Sequence, residues 1–433
     1  MGSGQKLWSR AVRRIPGGSM LLSKRAEMIL PGEWPAYFDR ASGCEVWDLD
    51  GNRFLDVGLM GVGTNILGYA HPKVNEAVRR IVAKGALSTL NAPEEVELAD
   101  RLCELHPWAD MVRFTRSGGE AGAVAVRIAR AASGKDVVAF CGYHGWHDWY
   151  LSANLADEAA LDGHLLPGLS PTGVPRALKG TSLPFTYNDL DGLRNLLETG
   201  DIGTIVMEVE RSTPPAEGFL VGVRRLADQF DAVLIFDECS SGFRQVLGGH
   251  HLVHGVEPDI AIFGKTLGNG FAINAVIGRR NVMEAATRSF ISSTFWTERI
   301  GPAAALAALE AMEAEDAPAR VHGIGVAVNT EWHALCESLD LPVSVTGLPA
   351  LSAFVLEGRD SAIVKTYVAR SMLSEGFLAA TSLYASIAHT QTVLAPYFEA
   401  LSRTLATVRS RTDEELVAEL PHGPTAPPFG RLA

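Results

Sequence analysis

Between Ala232 and Gly270 the chain reads AVLIFDECSSGFRQVLGGHHLVHGVEPDIAIFGKTLGNG, and two short apolar runs in this stretch constrain the fold more than any other feature. Ala232–Phe236 ends on Asp237, and Ile260–Phe263 is followed two residues on by Lys265. Apolar runs of this length, with no polar alternation, read as strands buried on both faces, as in a parallel sheet. In an open parallel sheet the carboxyl ends of neighbouring strands line the ligand crevice, so Asp237 and Lys265 are expected to face one small molecule. A lone charge at such a place is costly to bury, so the pair needs a counter-ion or a chemical task.

The task that fits is pyridoxal phosphate (PLP) chemistry, in which a lysine forms a Schiff base with the cofactor aldehyde and an acid partner keeps the pyridine nitrogen protonated. The D-E-x-x-S-G-F-R segment at Asp237–Arg244 and the P-D-I-x-x-x-G-K segment at Pro258–Lys265 resemble the class III aminotransferases, most closely their glutamate-1-semialdehyde aminomutase-like branch. The resemblance runs from about Ile15 to Val408. It implies an α/β protein of PLP-dependent transferase fold type I, with a mostly parallel central sheet in a large domain and a smaller α+β C-terminal lobe. It also implies a homodimer with shared active sites, and Lys265 and Asp237 as the catalytic pair. The Gly264-Lys265-Thr266 triplet invites a nucleotide-binding reading, but a Walker A loop needs Gly where Asp259 stands.

Taken in order, residues 1–70 read as an N-terminal arm, with Ile15-Pro16-Gly17-Gly18 and a basic Lys24-Arg25, followed by a hairpin around Asp50-Gly51. Residues 71–316 read as the large domain, opening on a helix after His71-Pro72 whose Val74, Ala77, Val78, Ile81 and Val82 share one face. Met111–Phe114 is a strand, Ser117-Gly118-Gly119-Glu120 a turn, and Ala121–Ala132 a helix. Such a turn suits a phosphate, because free N–H groups and the positive dipole end meet an anion there. The family's turn reads S-G-T-E-A, so Gly119 stands where the family usually carries Thr. Strand Val137–Phe140 leads to Tyr143-His144-Gly145, where the resemblance implies that Tyr143 stacks on the pyridine ring. Cys141, His144, His147 and Asp148 are metal-ligand types, but no second ligand pair of matching spacing follows, and no metal is expected.

Residues 151–188 read as an irregular surface excursion or lid. Thr204–Glu208 is a strand and Val221–Phe230 a helix. The resemblance places Ser117, Gly118, Gly119, His144, Glu208 and Cys239 around the cofactor, the last as a packing residue. It also sends the Thr294 hydroxyl to the phosphate of a neighbouring subunit's cofactor. Residues 317–420 read as the smaller lobe, with a helix from Arg320 to Leu339, strands Val343–Thr346 and Ser352–Leu356, and helices Ser361–Ser374 and Pro396–Arg409. The four-proline segment 421–433 is expected to be disordered.

A net charge of -12 with basic residues scattered singly argues against nucleic acid or an anionic membrane as partner. No apolar run is long enough to span a bilayer, and five irregularly spaced cysteines fit a reducing, cytoplasmic location. The partners expected are a small amino donor and a carbonyl acceptor. Arg25 and Arg211 are candidate carboxylate or hydroxyl binders, with Tyr384 beside them as a candidate substrate contact. Glutamate-1-semialdehyde aminomutases carry S-Q-F-E-A where this chain has Ser382-Leu383-Tyr384-Ala385-Ser386, so a pocket carboxylate is lost. The reading is therefore an intermolecular, ping-pong aminotransferase using an amino-acid donor and a ketone or aldehyde acceptor. The alternatives are an aminomutase-type intramolecular transfer and an inactive PLP-binding regulator, the latter disfavoured by the presence of both Asp237 and Lys265.

Overall fold

The computed structural model describes residues 2–164, 167–210 and 212–425. Two compact units emerge: the residues up to His71 together with those from Ala319 onward, and Pro72–Pro318. The arm and the C-terminal segment, set apart in the sequence reading, thus share one unit. The remainder of the tail, 426–433, lies outside the described residues.

In the first unit β1 (Phe38–Ser42), β2 (Glu45–Asp48) and β3 (Arg53–Asp56) form an antiparallel meander. The Asp48 carboxylate accepts the N–H groups of Asp50 at 2.9 Å and Asn52 at 2.8 Å, and Gly51 takes the positive φ of 83° that the tight turn requires.

The second unit is built on β4 (Met111–Thr115), β5 (Val137–Cys141), β6 (Ser182–Pro184), β7 (Ile202–Glu208), β8 (Val233–Glu238), β9 (Ile260–Phe263) and β10 (Asn274–Gly278). The sheet order is β4-β10-β9-β8-β7-β5-β6, with β10 antiparallel to both its neighbours and the other pairs parallel. Part of the 151–188 excursion therefore returns to the sheet as edge strand β6, and its Leu161 and Phe185 are buried rather than exposed.

Alternation along the buried strands sorts the core into two layers. Val138, Phe140, Val206, Val233 and Ile235 pack with Ala121, Val124, Ala125 and Ile128 of the helix Gly118–Ser133. Ala139, Cys141, Ile205, Met207, Leu234 and Phe236 pack on the other face with Phe219, Val223 and Leu226 of the helix Phe219–Gln229. The Asp of the P-D-I motif serves this scaffold: Asp259 accepts from Arg224 at 2.9 Å and from the Leu234 N–H at 2.8 Å.

The chain after Ala319 adds β11 (Val343–Thr346), β12 (Leu351–Leu356), β13 (Phe377–Leu378) and β14 (Ser382–Tyr384). β11, β12 and β14 make a three-stranded sheet, while β13 pairs in parallel with β3. The last long helix, Gln391–Ser410, starts a turn earlier than its proline predicts: Pro396 lies inside it and removes one backbone donor without ending it. Fully buried Trp332 donates to the Tyr397 hydroxyl at 3.1 Å within the same unit.

Buried His106, at the C-terminal end of the helix Pro93–Leu105, shows how tightly the large unit is wired. Its Nδ1 donates to the Leu102 carbonyl at 2.9 Å and its Nε2 accepts the Gly249 N–H at 2.9 Å, which requires the neutral ring. Burial, with a smaller contribution from His251, lowers its pKa from 6.5 to about 4 against the opposing pull of the Leu102 bond. Between these values the unfolded chain binds the proton and the folded chain does not. Stability from this group is therefore complete above pH 6.5 and falls as the pH drops toward 4, by up to about 3 kcal/mol. Urea unfolding is expected to follow that slope in the native chain, and a His106→Asn variant, weaker at pH 7, should show a shallower one.

Candidate active site

Period-2 alternation decides which end-of-strand groups meet. Asp237 shares the face of Val233 and Ile235, beneath the helix Gly118–Ser133, whereas Glu238 points to the opposite face. Glu208 at the end of β7 pairs in register with Asp237 at the end of β8. Lys265 follows β9, the next strand, in a short turn with φ of 21°, an uncommon conformation for a residue with a side chain. Thr266 holds that turn by donating to the Gly242 carbonyl at 3.0 Å.

Buried Asp237 is neutralised from one side. Its Oδ2 lies 2.9 Å from His144 Nδ1, and its Oδ1 accepts the Cys239 N–H at 3.1 Å. Burial raises the carboxyl's pKa, but the His144 hydrogen bond and charge, with the Cys239 N–H, outweigh it and leave the net shift downward. His144 Nε2 meets the Cys141 carbonyl at 3.0 Å. Both partners are acceptors, so the ring donates from both nitrogens. His144 is thereby committed to Asp237 and the Cys141 carbonyl.

Lys265 Nζ donates to Ser240 Oγ at 2.5 Å. Cys239 packs against the site: burial and the Asp237 charge hold its thiol well above the usual range, so it stays protonated, and Asn274 Nδ2 approaches its sulfur at 3.5 Å. Tyr143 is half-buried, with its N–H donating to Glu208 Oε2 at 3.1 Å and its ring edge-on to Tyr150.

The helix expected from Ala121 begins at Gly118, with Ser117 as its N-cap. Glu120 Oε2 accepts the N–H groups of Arg116 and Ser117 at 3.0 Å each, and the first intrahelical bond runs from Ala121 N to Ser117 O. The Ser117 side chain takes the Glu120 N–H in a capping box, which leaves the N–H groups of Gly118 and Gly119 without an intrahelical acceptor. A side-chain carbon on Gly119 would lie 3.0 Å from the His147 ring and 3.3 Å from Trp146 Nε1. The His147 ring thus fills the space a threonine would use, and its buried Nε2 has no hydrogen-bond partner. Two open N–H groups at a helix start and a buried, unpartnered ring nitrogen fit a phosphate, and the ionised Asp237 fits a protonated pyridine nitrogen. On these observations the residues present fit PLP.

Arg116, which the sequence reading passed over, ties the Thr294 turn to this helix start: its guanidinium bonds Glu298 Oε1 at 3.1 Å, Trp296 O at 3.0 Å and Glu298 O at 2.7 Å. Thr294 itself is exposed. No spacing rule links residues so far apart in sequence, and Ser240 likewise sits at an unspecified position of the D-E-x-x-S pattern. Arg25 and Tyr384 belong to the other unit. There Arg25 Nε is buried without a hydrogen-bond partner, and the Tyr384 N–H donates to Gly58 O at 2.7 Å. Ala385 is buried, its N–H bonded to the Ala350 carbonyl at 2.9 Å. Arg211 lies outside the described residues.

A mostly parallel sheet that offers a lysine, a carboxylate and a helix N-terminus from neighbouring strand ends defines a PLP-dependent enzyme of fold type I. The chain belongs to the class-III aminotransferase family, which it matches over residues 31–382. It is 33% identical over 372 residues to the 3-aminobutyryl-CoA aminotransferase of Cloacimonas acidaminovorans, covering 83% of this chain and 84% of that protein. It is 35% identical over 361 residues to the glutamate-1-semialdehyde 2,1-aminomutase of Methanothrix thermoacetophila, covering 81% of each. Among solved structures, the FumI protein of Sphingopyxis sp. MTA144 in its PLP internal aldimine form superposes with a TM-score of 0.86 at 25% identity, covering 97% of this chain and 99% of that one. An omega-transaminase from Sphaerobacter thermophilus gives 0.82 at 25% identity, covering 95% and 98%. The protein is accordingly a PLP-dependent aminotransferase.

Gly264, between β9 and Lys265, has no room for a methyl group: an added carbon would lie 2.1 Å from Asn274 Nδ2 and 3.2 Å from the Cys239 sulfur. Gly264→Ala is expected to lower unfolding free energy by about 1–3 kcal/mol through overpacking. A companion Asn274→Ala change should recover part of that loss in the same denaturant titration; equal stability of the single variant and the native chain would contradict the packing described.

Proposed function

We propose that Lys265 anchors the cofactor and moves the proton in amino transfer, with Asp237 as the partner of the cofactor's ring nitrogen. The observation that carries this reading is the placement of the two on adjacent parallel strands, the carboxylate backed by His144 at 2.9 Å and the amine by Ser240 at 2.5 Å. Bound PLP supplies an electrophilic aldehyde and an electron-withdrawing ring. Lys265 Nζ would anchor the cofactor and, as a free amine, would accept a proton from the substrate carbon and give it back during amino transfer. His144 keeps Asp237 ionised, so that Asp237 holds a positive charge on the ring nitrogen throughout. Tyr143 covers one ring face and Cys239 packs against the other. The Ser117–Gly119 turn holds the phosphate through the N–H groups of Gly118 and Gly119, with Glu208 bracing Tyr143 through its backbone N–H.

The assembly proposed is a homodimer in which Thr294 reaches the partner subunit's phosphate. Exposed Phe290 (87%) and Phe295 (70%), which flank Thr294, support a covering surface there. For substrate recognition Arg25, Arg211 and Tyr384 remain the proposed contacts, and the stranded Arg25 Nε supports a carboxylate as its partner. Ala385, with no charge to offer, favours exchange with a second carbonyl compound over retention of one molecule, as an aminomutase would need. Five free cysteines support a reducing cytoplasm, and among the described residues no helix is long and apolar enough to cross a membrane.

Lys265→Ala is expected to abolish the visible absorbance of the bound cofactor and to lower turnover with any amino donor by roughly 10²–10⁴-fold or more; full activity in that variant would refute the assignment. The His147 ring is expected to stand in for the threonine hydroxyl missing at position 119. His147→Ala should weaken PLP affinity by about 5- to 10-fold, measured by fluorescence titration of the apoenzyme, and Gly119→Thr alone should also weaken it by crowding the ring. The double variant should bind more tightly than the product of the two single losses predicts; strict additivity would remove His147 from the phosphate site.

A further inference from the structure

On the sheet face opposite Asp237, three side chains from two segments converge. Glu210 follows the end of β7, while His250 and His254 lie four residues apart at the start and end of the helical turn ahead of Gly255. That spacing puts both rings on one side of the turn. Their ligand-type atoms all lie within 4.8 Å of one another, the one such group among the described residues. His250 Nε2 is 3.2 Å from Glu210 Oε2, and His254 Nε2 is 3.8 Å from the same oxygen. A tetrahedral ion with bonds of about 2.1 Å holds its ligand atoms about 3.4 Å apart, between those two separations.

The two histidines are not equally satisfied. His250 reaches the carboxylate at hydrogen-bond distance, but His254 Nε2 is buried, too far for that bond, and has no hydrogen-bond partner. A buried ring nitrogen left unpaired is destabilising, because it has given up its hydrogen bond to water. A cation among the three groups answers both ring lone pairs and the carboxylate charge together.

The support around the cluster is rigid. The Glu238 carboxylate accepts the backbone N–H groups of His250 and His251, and the His251 ring as well. His251 spends its other nitrogen on Trp108 Nε1–H at 2.9 Å, so of the three histidines in H-H-x-x-H only His250 and His254 face Glu210. His106 fixes the preceding Gly249. The turn carrying the two rings is therefore held from behind, as ligand sites require.

We infer that Glu210, His250 and His254 form a binding site for one divalent transition-metal ion of the zinc class, with water completing its coordination. Two imidazoles and one carboxylate suit Zn²⁺, Co²⁺ or Ni²⁺, and offer too few oxygens for Ca²⁺ or Mg²⁺. The ion ties the segment after β7 to the 250–254 turn. It takes no part in amino transfer, since Glu238 and Asp237 send their side chains to opposite faces.

The test counts metal in the holoenzyme. Protein treated with a chelator, equilibrated with Zn²⁺ and desalted is expected to retain about one zinc per chain by elemental analysis, falling to roughly a tenth of that in His254→Ala and in Glu210→Gln. Zinc should also raise the thermal midpoint of the native protein and not of either variant. Cofactor absorbance and circular dichroism identify correctly folded variants, and if His254→Ala does not fold, Glu210→Gln carries the comparison. No retention by the native protein, or equal retention by the folded variants, marks any zinc as adventitious and overturns the site.

Discussion

The large unit depends on a charge placed where a hydrophobic core would reject it. Asp237 is the next-to-last residue of a strand that is buried throughout, and an isolated carboxylate there would be neutral or would unfold its surroundings. His144 is what makes the charge tolerable. It does so only because the turn Tyr143-His144-Gly145 is folded back over the sheet, its ring fixed between Cys141 O and Asp237. The turn that stabilises the carboxylate is also the one that carries Tyr143, and Glu208, one strand over, holds that tyrosine's backbone. Charge neutralisation and ring placement are thus one structural solution.

The neighbouring Glu238 shows the same economy on the other face. Two consecutive acids at a strand end necessarily diverge, so one β8 terminus organises two environments: the candidate active site on one face and a histidine-rich turn on the other. Glu238 is fully buried against His251, and its pKa is lowered because the hydrogen bonds it accepts from the His251 ring and backbone oppose and outweigh the effect of burial. Substitution of either acid would leave a buried histidine without its acceptor.

What was legible in the sequence followed from burial on two faces. Strand β9 and the helix Ser361–Ser374 coincide with their predicted limits, because a continuous apolar run marks the one and a clear N-cap at Asp360 the other. The elements that were not legible lack such marks. β13 is two residues long and exists because β3 pairs with it. β1 is exposed along most of its length and β6 is an edge strand, so neither shows the buried pattern. The start of the Gly118 helix was hidden because glycines usually argue against a helix, whereas here their small size admits the His147 ring and the Cys239 sulfur. At the site, the lysine and aspartate could be found from local pattern, but Ser240 and the Arg116–Glu298 tie could not, being fixed by tertiary approach. His250 and His254 stood in plain sequence; only the fold brings Glu210 to them.

The pairing of β13 with β3 has a consequence in time. Strand β3 leaves a growing chain more than three hundred residues before its partner, and β4 must likewise wait for β10 to fill the place beside it. During synthesis both present open strand edges, the surfaces that non-native association exploits. In the first unit the meander β1-β2-β3 therefore behaves as a docking template for strand β13, which comes late in the chain. Vectorial synthesis delivers the cofactor-bearing sheet whole before the unit that begins the chain can close.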